Sequence, residues 1–275
     1  MKSNRSSFSP LRYPGGKTRA CKILDEIMSD HFDMSAIKTI RSPFFGGGSF
    51  ELFLQNKYQY RLIVNDKFTP LYHFWQQVQK NPKKLGQALR AVPLVTKEMF
   101  QHYRETIMQL DQDPFQQAFQ YFILNRCSFS GATLSGGYSK EASMKRFTRS
   151  SIEKMESVDL TNVELCHLDF GEFFSYPESE EDTTATFFFV DPPYYLEEHS
   201  KLYGKNGDMH EDFDHRGLHH HLQTKPNWLL TYNDCEYIRQ LYRLYLILDT
   251  QWSYGMNKTK RSSEIIILSR SKEGA

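Results

Sequence analysis

Residues 37–66 arrange two apolar segments around a glycine loop, and this order constrains the fold more than any other stretch. Ile37 to Ile40 reads as a short strand. Pro43-Phe44-Phe45-Gly46-Gly47-Gly48-Ser49 follows as a loop, and Phe50-Glu51-Leu52-Phe53-Leu54 as a helix. Arg61-Leu62-Ile63-Val64 is a second strand that stops at Asn65-Asp66, about 18–20 residues beyond the glycines. Strand, glycine turn, helix, strand and acid is the logic of a dinucleotide-type fold. Glycines let a ligand approach the backbone, and the following helix start offers free N–H groups. Asp66 is placed to accept from ribose hydroxyls. The competing reading is a plain turn followed by a surface acid.

A later segment adds chemistry. Ala185-Thr186-Phe187-Phe188-Phe189-Val190 reads as a buried parallel strand. Asp191-Pro192-Pro193-Tyr194 follows it directly, where open α/β folds hold ligands. Two prolines fix the backbone and remove two N–H donors. An acid, a carbonyl without a ladder partner and an aromatic ring together suit a flat substrate that bears an amino group, such as a nucleobase. The competing reading is a strand that ends in a proline turn.

The rest of the chain fits one α/β core with an insertion. Ile23, Leu24, Ile27 and Met28 stand at helical spacing. Leu71 to Leu124 is helical and rich in polar residues, and the rings within 115–124 read as core. Leu134 to Tyr138 reads as a hairpin or flexible loop. Further strands are read at Val163 to Cys166, Trp228 to Tyr232, Leu244 to Leu248 and Glu264 to Leu268, the last two as an antiparallel pair around 254–262. Glu178 to Thr184 is an acidic solvated loop. The division is 1–66 and 161–275 for the core and 67–160 for the insertion.

Net charge is +1, so any nucleic-acid surface must come from local clusters. Four scattered cysteines with no C-x-x-C pair read as reduced thiols. No apolar run approaches the roughly 20 residues of a membrane span, and residues 1–7 lack a signal-peptide core. The expectation is a cytoplasmic or nucleoid-associated protein without membrane contact. Gly15-Gly16-Lys17-Thr18 does not make a phosphate loop, because Leu11 stands where the first glycine is required and no strand precedes it. His215 and His219 stand four apart, but the chemistry inferred needs no metal. Those histidines read instead as part of a helix start near Asp212 or Asp214.

Taken together, the motifs resemble the Dam-like, alpha-group DNA adenine-N6 methyltransferases over most of the chain. Leu11-Arg12-Tyr13-Pro14-Gly15-Gly16-Lys17 is similar to their N-terminal cofactor motif, and Asn65-Asp66-Lys67-Phe68-Thr69-Pro70-Leu71 to their ribose-binding segment. Leu124-Asn125-Arg126-Cys127-Ser128-Phe129-Ser130-Gly131 resembles a stretch of their target-recognition region. Leu168-Asp169-Phe170 and Leu230-Thr231-Tyr232-Asn233-Asp234 match later strand ends. The resemblance implies a Rossmann-like class I methyltransferase core with an inserted, mainly helical target-recognition domain. It implies S-adenosyl-L-methionine as cofactor and S-adenosyl-L-homocysteine as product. Tyr13, Pro14, Gly15 and Lys17 would line the cofactor site, and Phe44, Phe45, Gly46, Gly48 and Ser49 would approach the methionine part. Asp66 would take the ribose, Asp169 the cofactor adenine amino group and Phe170 its ring, with Asp191 at the boundary with the substrate. Where many of these enzymes read Asn-Gly-Leu-x-Arg, this chain reads Ser130-Gly131-Ala132-Thr133-Leu134, without the arginine that forks onto guanine. The resemblance therefore stops short of the common four-base Dam site.

Asp191, Pro192, Pro193 and Tyr194 are the expected catalytic residues. Acceptors at the carboxylate and at the Pro192 carbonyl would favour a pyramidal amino nitrogen, and Tyr194 would stack on a base taken out of the duplex. Asn125, Arg126, Phe129, Lys140, Lys145, Arg146 and Arg149 are the expected DNA contacts, Arg126 having a bracing role as its alternative. Lys258, Lys260 and Arg261 form a second small basic cluster. Double-stranded DNA is the expected partner, with a cognate restriction endonuclease acting separately and a monomer, or alternatively a dimer, as the assembly. An RNA or other amino-group methyltransferase and a non-catalytic DNA-binding protein of the same fold are the rival readings.

Overall fold

The computed structural model describes residues 9–13, 15–109, 111–177, 184–195, 213–250 and 264–271. Pro14, most of the acidic segment at 178–184, Asp212, the 254–262 connection and the Lys258, Lys260 and Arg261 cluster lie outside them.

Seven strands form one sheet: β1 (Thr39–Ser42), β2 (Arg61–Asn65), β3 (Val163–Cys166), β4 (Thr186–Val190), β5 (Trp228–Asn233), β6 (Tyr245–Thr250) and β7 (Glu264–Ser271). Their order is β3-β2-β1-β4-β5-β7-β6. The first five run parallel, and β7 runs antiparallel to both β5 and β6. Every strand read from the sequence is present, including the antiparallel pair. β1 lies two residues later than its apolar pattern suggests, and it takes in Arg41 and Ser42. Both are buried. The Arg41 guanidinium is compensated by the carbonyls of Phe173 and Tyr176 and by the rings of Phe173 and Phe188. Burial of a charged residue is tolerated when most of its donors are satisfied, here both terminal nitrogens, and periodicity alone cannot reveal that.

Helix α1 (Cys21–His31) precedes β1, and α2 (Ser49–Tyr58) joins β1 to β2. Between β2 and β3 lie α3 (Thr69–Lys80), α4 (Pro82–Arg90), α5 (Lys97–Thr106), α6 (Pro114–Cys127), α7 (Lys140–Lys145) and α8 (Arg149–Glu156). Their starts are written locally. Thr96 caps α5 through Met99 N, Asp113 caps α6 through Gln116 N ahead of Pro114, and Thr148 makes a reciprocal capping box with Ser151. The rings of α6 are core: Tyr121 and Phe122 are buried, and Phe122 stacks on Phe74 of α3. One hydrophobic core runs without a break from Ile40, Leu62 and Phe187 of the sheet to Leu71, Phe74, Phe100 and Ile123 of the helices between β2 and β3. Three further helices among the described residues are α9 (Phe170–Phe174), α10 (His215–Gln223) and α11 (Glu236–Leu241). No helix among the described residues is long and apolar enough to cross a membrane.

The order reverses between β1 and β4: β1 leads outward to β2 and β3, and β4 to β5. At such a switch point the connections leave in opposite directions, and a crevice opens at the carboxyl ends of the strands.

Candidate active site

A cavity of about 1050 Å³ occupies that crevice. Its floor begins with the glycine loop. Gly46 and Gly48 have φ of 51° and 63°, values that side chains other than glycine seldom adopt. A Cβ on Gly47 would stand 2.7 Å from Cβ of Tyr13, and one on Gly48 would stand 2.6 Å from the ring of Phe45. The glycines are thus required by close packing of this chain's own rings as well as by any ligand. Trp75 of α3 holds the loop from behind, donating to the Gly46 carbonyl at 2.9 Å.

Asp66 closes the loop from the end of β2. Its Oδ2 accepts from Gly46 N and its Oδ1 from Phe68 N, both at 2.9 Å. Burial raises its pKa to about 6, against the lowering effect of those two N–H groups. It still shows an edge to the cavity. At the far end, Phe44, Phe170 and Phe213 form a trio with ring centroids 5.2–5.9 Å apart. Asp169 caps α9 through Gly171 N, and its other oxygen pairs with Lys67 at 2.8 Å, which lowers its pKa. Tyr13, Gly15 and Ser49 also line the cavity, and Ser49 accepts from Thr18 at 3.0 Å.

The acid of the Asp-Pro-Pro-Tyr segment is held from two sides. Lys17, only 3% exposed, reaches both carboxylate oxygens of Asp191 at 2.8 and 2.9 Å. Thr231, on neighbouring β5, donates to Asp191 Oδ1 at 2.5 Å. Lys17 also donates to the Gly15 carbonyl and to the Tyr194 hydroxyl, each at 3.0 Å. Tyr194 in turn donates to Glu264 of β7 at 2.8 Å. No donor among the described residues reaches the Pro192 carbonyl. Glu51 of α2 lies beneath, buried and bonded to Ser42 at 2.7 Å, and burial raises its pKa to about 8.

The cavity thus gathers the described residues of the expected cofactor and catalytic sets. It also gathers residues the sequence reading did not assign: Thr231 beside it, and Glu51, Phe213, Asp214, His221, Met108 and Glu264 along its wall. The Leu-Thr-Tyr-Asn-Asp strand end was a signal for Thr231. Nothing in the local sequence signals Glu264, which lies 70 residues from Tyr194.

The segment expected to face DNA divides differently. Asn125 is fully buried, a correction to its expected surface contact. Its amide accepts from Arg12 N at 2.9 Å and donates to Arg12 O at 2.7 Å, tying α6 to the N-terminal motif. Arg126 donates to the carbonyls of Arg146 and Pro10 at 2.7 and 3.2 Å, the bracing geometry. Burial, then repulsion from Arg12 and Arg146, lowers its pKa to about 10. Phe129 is 70% exposed on a turn closed by the Ser128–Tyr138 bridge and by Phe129 N on Gly137 O. Lys140, Lys145, Arg146 and Arg149 are exposed around the same loop. Lys145 pairs with Glu141, and Arg149 with Glu153, each one helical turn away.

The histidines of α10 enter packing. Asp214 caps the helix through Gly217 N, His215 bonds the Tyr232 hydroxyl at 2.6 Å, and His221 stacks on Phe174. All four cysteines are free thiols.

A family model described as D12 class N6 adenine-specific DNA methyltransferase matches residues 13–256. The chain is also similar to the type II methyltransferase M.MjaIII of Methanocaldococcus jannaschii. The two are 23% identical over 202 residues, which is 67% of this chain and 68% of that relative.

Proposed function

The chain belongs to the family of D12 class N6 adenine-specific DNA methyltransferases and methylates adenine in DNA; from that premise we propose that S-adenosyl-L-methionine is its methyl donor, held in the cavity between β1 and β4. The residues suit such a cofactor. The aromatic trio offers faces to an adenine ring, Asp66 offers an acceptor to ribose, and the glycine loop admits the methionine part. Asp169 can share its outer oxygen with an adenine amino group beside Lys67. The bound cofactor supplies a methyl group on a sulfonium, already activated for transfer.

The chain's own residues then orient the nucleophile. An aromatic amino nitrogen is weak because its lone pair is delocalised into the ring. The Asp191 carboxylate and the Pro192 carbonyl accept its two protons, and the nitrogen becomes more pyramidal. Lys17 and Thr231 fix the carboxylate in place, so little reorganisation remains at the moment of transfer. As the methyl group's bond to sulfur would give way to one to nitrogen, leaving S-adenosyl-L-homocysteine, Asp191 would receive the proton that the nitrogen sheds. Tyr194 stacks on the base, which has left the duplex at a cost of a few kcal/mol.

We assign target recognition to residues 67–160, with Phe129 entering the stack at the vacated position and Lys140 and Arg146 on phosphates. The likeness to a type II methyltransferase supports a role beside a restriction endonuclease that acts separately, in the compartment that holds the DNA.

The observation that carries this reading is an acid at the end of β4 clamped by Lys17 and Thr231 beside the Pro192 carbonyl, to which no described residue donates. Incubation with labelled S-adenosyl-L-methionine and duplex DNA, followed by nucleoside mass spectrometry, should yield N6-methyladenine. Labelled N4-methylcytosine in its place, or label only in RNA, would overturn the assignment.

A further inference from the structure

Glu264 is a carboxylate in an unlikely place. It opens β7, is 2% exposed, and is paired across the sheet with Asn233 on one side and Thr250 on the other. A buried carboxylate is costly unless well bonded. Its side chain accepts the hydroxyl proton of Tyr194 at 2.8 Å, and that same hydroxyl oxygen accepts from Lys17 at 3.0 Å. The phenol is therefore held at two points, and the chain Glu264–Tyr194–Lys17–Asp191 links β7 to the acid at the end of β4.

A phenylalanine would offer nearly the same stacking face. The hydroxyl matters for where the ring stands. With its tip fixed, the ring does not swing into the cavity, and a base that lands on it meets a surface already ordered. Pre-ordering a contact face removes a cost otherwise met on binding.

We propose that Glu264 is a positioning residue: through the Tyr194 hydroxyl it sets the plane against which the target adenine rests. This rests on the reading of Tyr194 as the stacking ring. The experiment is a double-mutant cycle on the full chain, Glu264→Ala, Tyr194→Phe and both together, with Glu264→Gln and Tyr194→Ala as companions. Each single variant of the cycle should lower kcat by about tenfold and leave cofactor affinity within about twofold, and the double should be no slower than the slower single. Glu264→Gln, whose amide oxygen still accepts the phenol proton, should recover most of the rate. With 2-aminopurine at the target position, Glu264→Ala should give brighter fluorescence than the wild type, because the extruded base is stacked less.

Multiplicative losses in the double variant would overturn the tether and leave Glu264 as a support of β7. If Glu264→Ala does not fold, Tyr194→Phe decides alone, and wild-type turnover there sinks the proposal. If Tyr194→Ala is itself unaffected, the stacking reading fails instead. If Tyr194→Ala is crippled while Tyr194→Phe is normal, stacking stands and the tether falls.

Discussion

Two regions of this molecule carry charge in opposite ways. At the strand ends that form the cavity, charged side chains are largely withdrawn from solvent and bonded across long stretches of sequence: Lys17 to Asp191, Glu264 to Tyr194, Asp66 to the Gly46 backbone. Around the 128–149 loop they are exposed, and Lys145 and Arg149 find their partners within one helical turn. Two glutamates show the consequence. Burial raises the pKa of Glu51 to about 8, whereas the bond from Lys145 lowers that of exposed Glu141. The first region is ordered before any ligand arrives. The second keeps its charges in solvent, where salt screens them and partners exchange easily. The first arrangement suits the chemistry proposed for the cavity, and the second suits the DNA contact proposed for the loop.

The sharpest test of this contrast removes the half-buried acid that Lys17 and Thr231 hold. Asp191→Ala should lower kcat/KM on the order of 10³-fold, ~4 kcal/mol, as for loss of a preorganised transition-state contact. It also leaves Lys17 buried without its carboxylate, so stability should fall by about 3 kcal/mol. Pairing it with Lys17→Met should restore the melting temperature and not the activity. A single Asp191→Ala variant with near-normal turnover would remove Asp191 from the reaction.

Glu51 tests the same region through pH. Its folded pKa lies above its unfolded one, so its stabilising contribution is complete below about pH 4.5 and is lost as pH rises through about 8. Between pH 6 and 8 the wild type should lose ~2 kcal/mol of unfolding free energy relative to Glu51→Gln. Parallel stability curves for the two proteins, read from denaturant midpoints, would show that Glu51 is not a strongly perturbed acid. The exposed Glu141 should produce no comparable slope.

Asp66→Ala should weaken S-adenosyl-L-methionine binding by about 30-fold, ~2 kcal/mol, while DNA affinity stays within about twofold. The loss combines an acceptor for ribose with the anchor that shapes the glycine loop. Titration calorimetry distinguishes the two, because Asp66→Asn keeps an acceptor toward the Gly46 N–H and should recover part of the affinity. An unchanged dissociation constant in both variants would place the cofactor elsewhere.

The same contrast explains what was legible in the sequence. The strands were, since apolar runs bounded by turn residues need only local information. The cavity's principal residues were too, because a strand end, a glycine loop and a proline pair each bear a local signature. The links between them were not. Thr231 and Glu264 reach the Asp191 cluster across 40 and 70 residues, and only the sheet order brings them there. Asn125 is expected at the DNA only because its segment resembles part of a target-recognition region, whereas its amide matches the Arg12 peptide and is buried for that reason. The lesson is physical: buried polar groups take partners set by topology, so their roles are the last to be read from a linear chain.

The exposed region offers the smallest effect and the most specific one. If Lys145, Arg146 and Arg149 all met phosphates, their joint replacement by alanine would lower the salt slope of DNA binding by about 2.7, at ~0.9 per contact. Lys145 and Arg149 already have glutamate partners, so their gain on meeting phosphate is partly offset by the pairs they leave. Arg146 has no ion pair among the described residues, and its neighbours Arg12 and Arg126 add to the local positive potential. Arg146→Ala alone should therefore account for most of the change, with affinity about fivefold weaker at 0.1 M salt and a slope reduced by about one, uniformly across sequences. The pair Lys145→Ala and Arg149→Ala should do less than Arg146→Ala. Equal contributions from all three would show that the local pairs open freely on DNA. No change in affinity or slope in the triple variant would make this a solvated face and move the recognition surface elsewhere in the insertion.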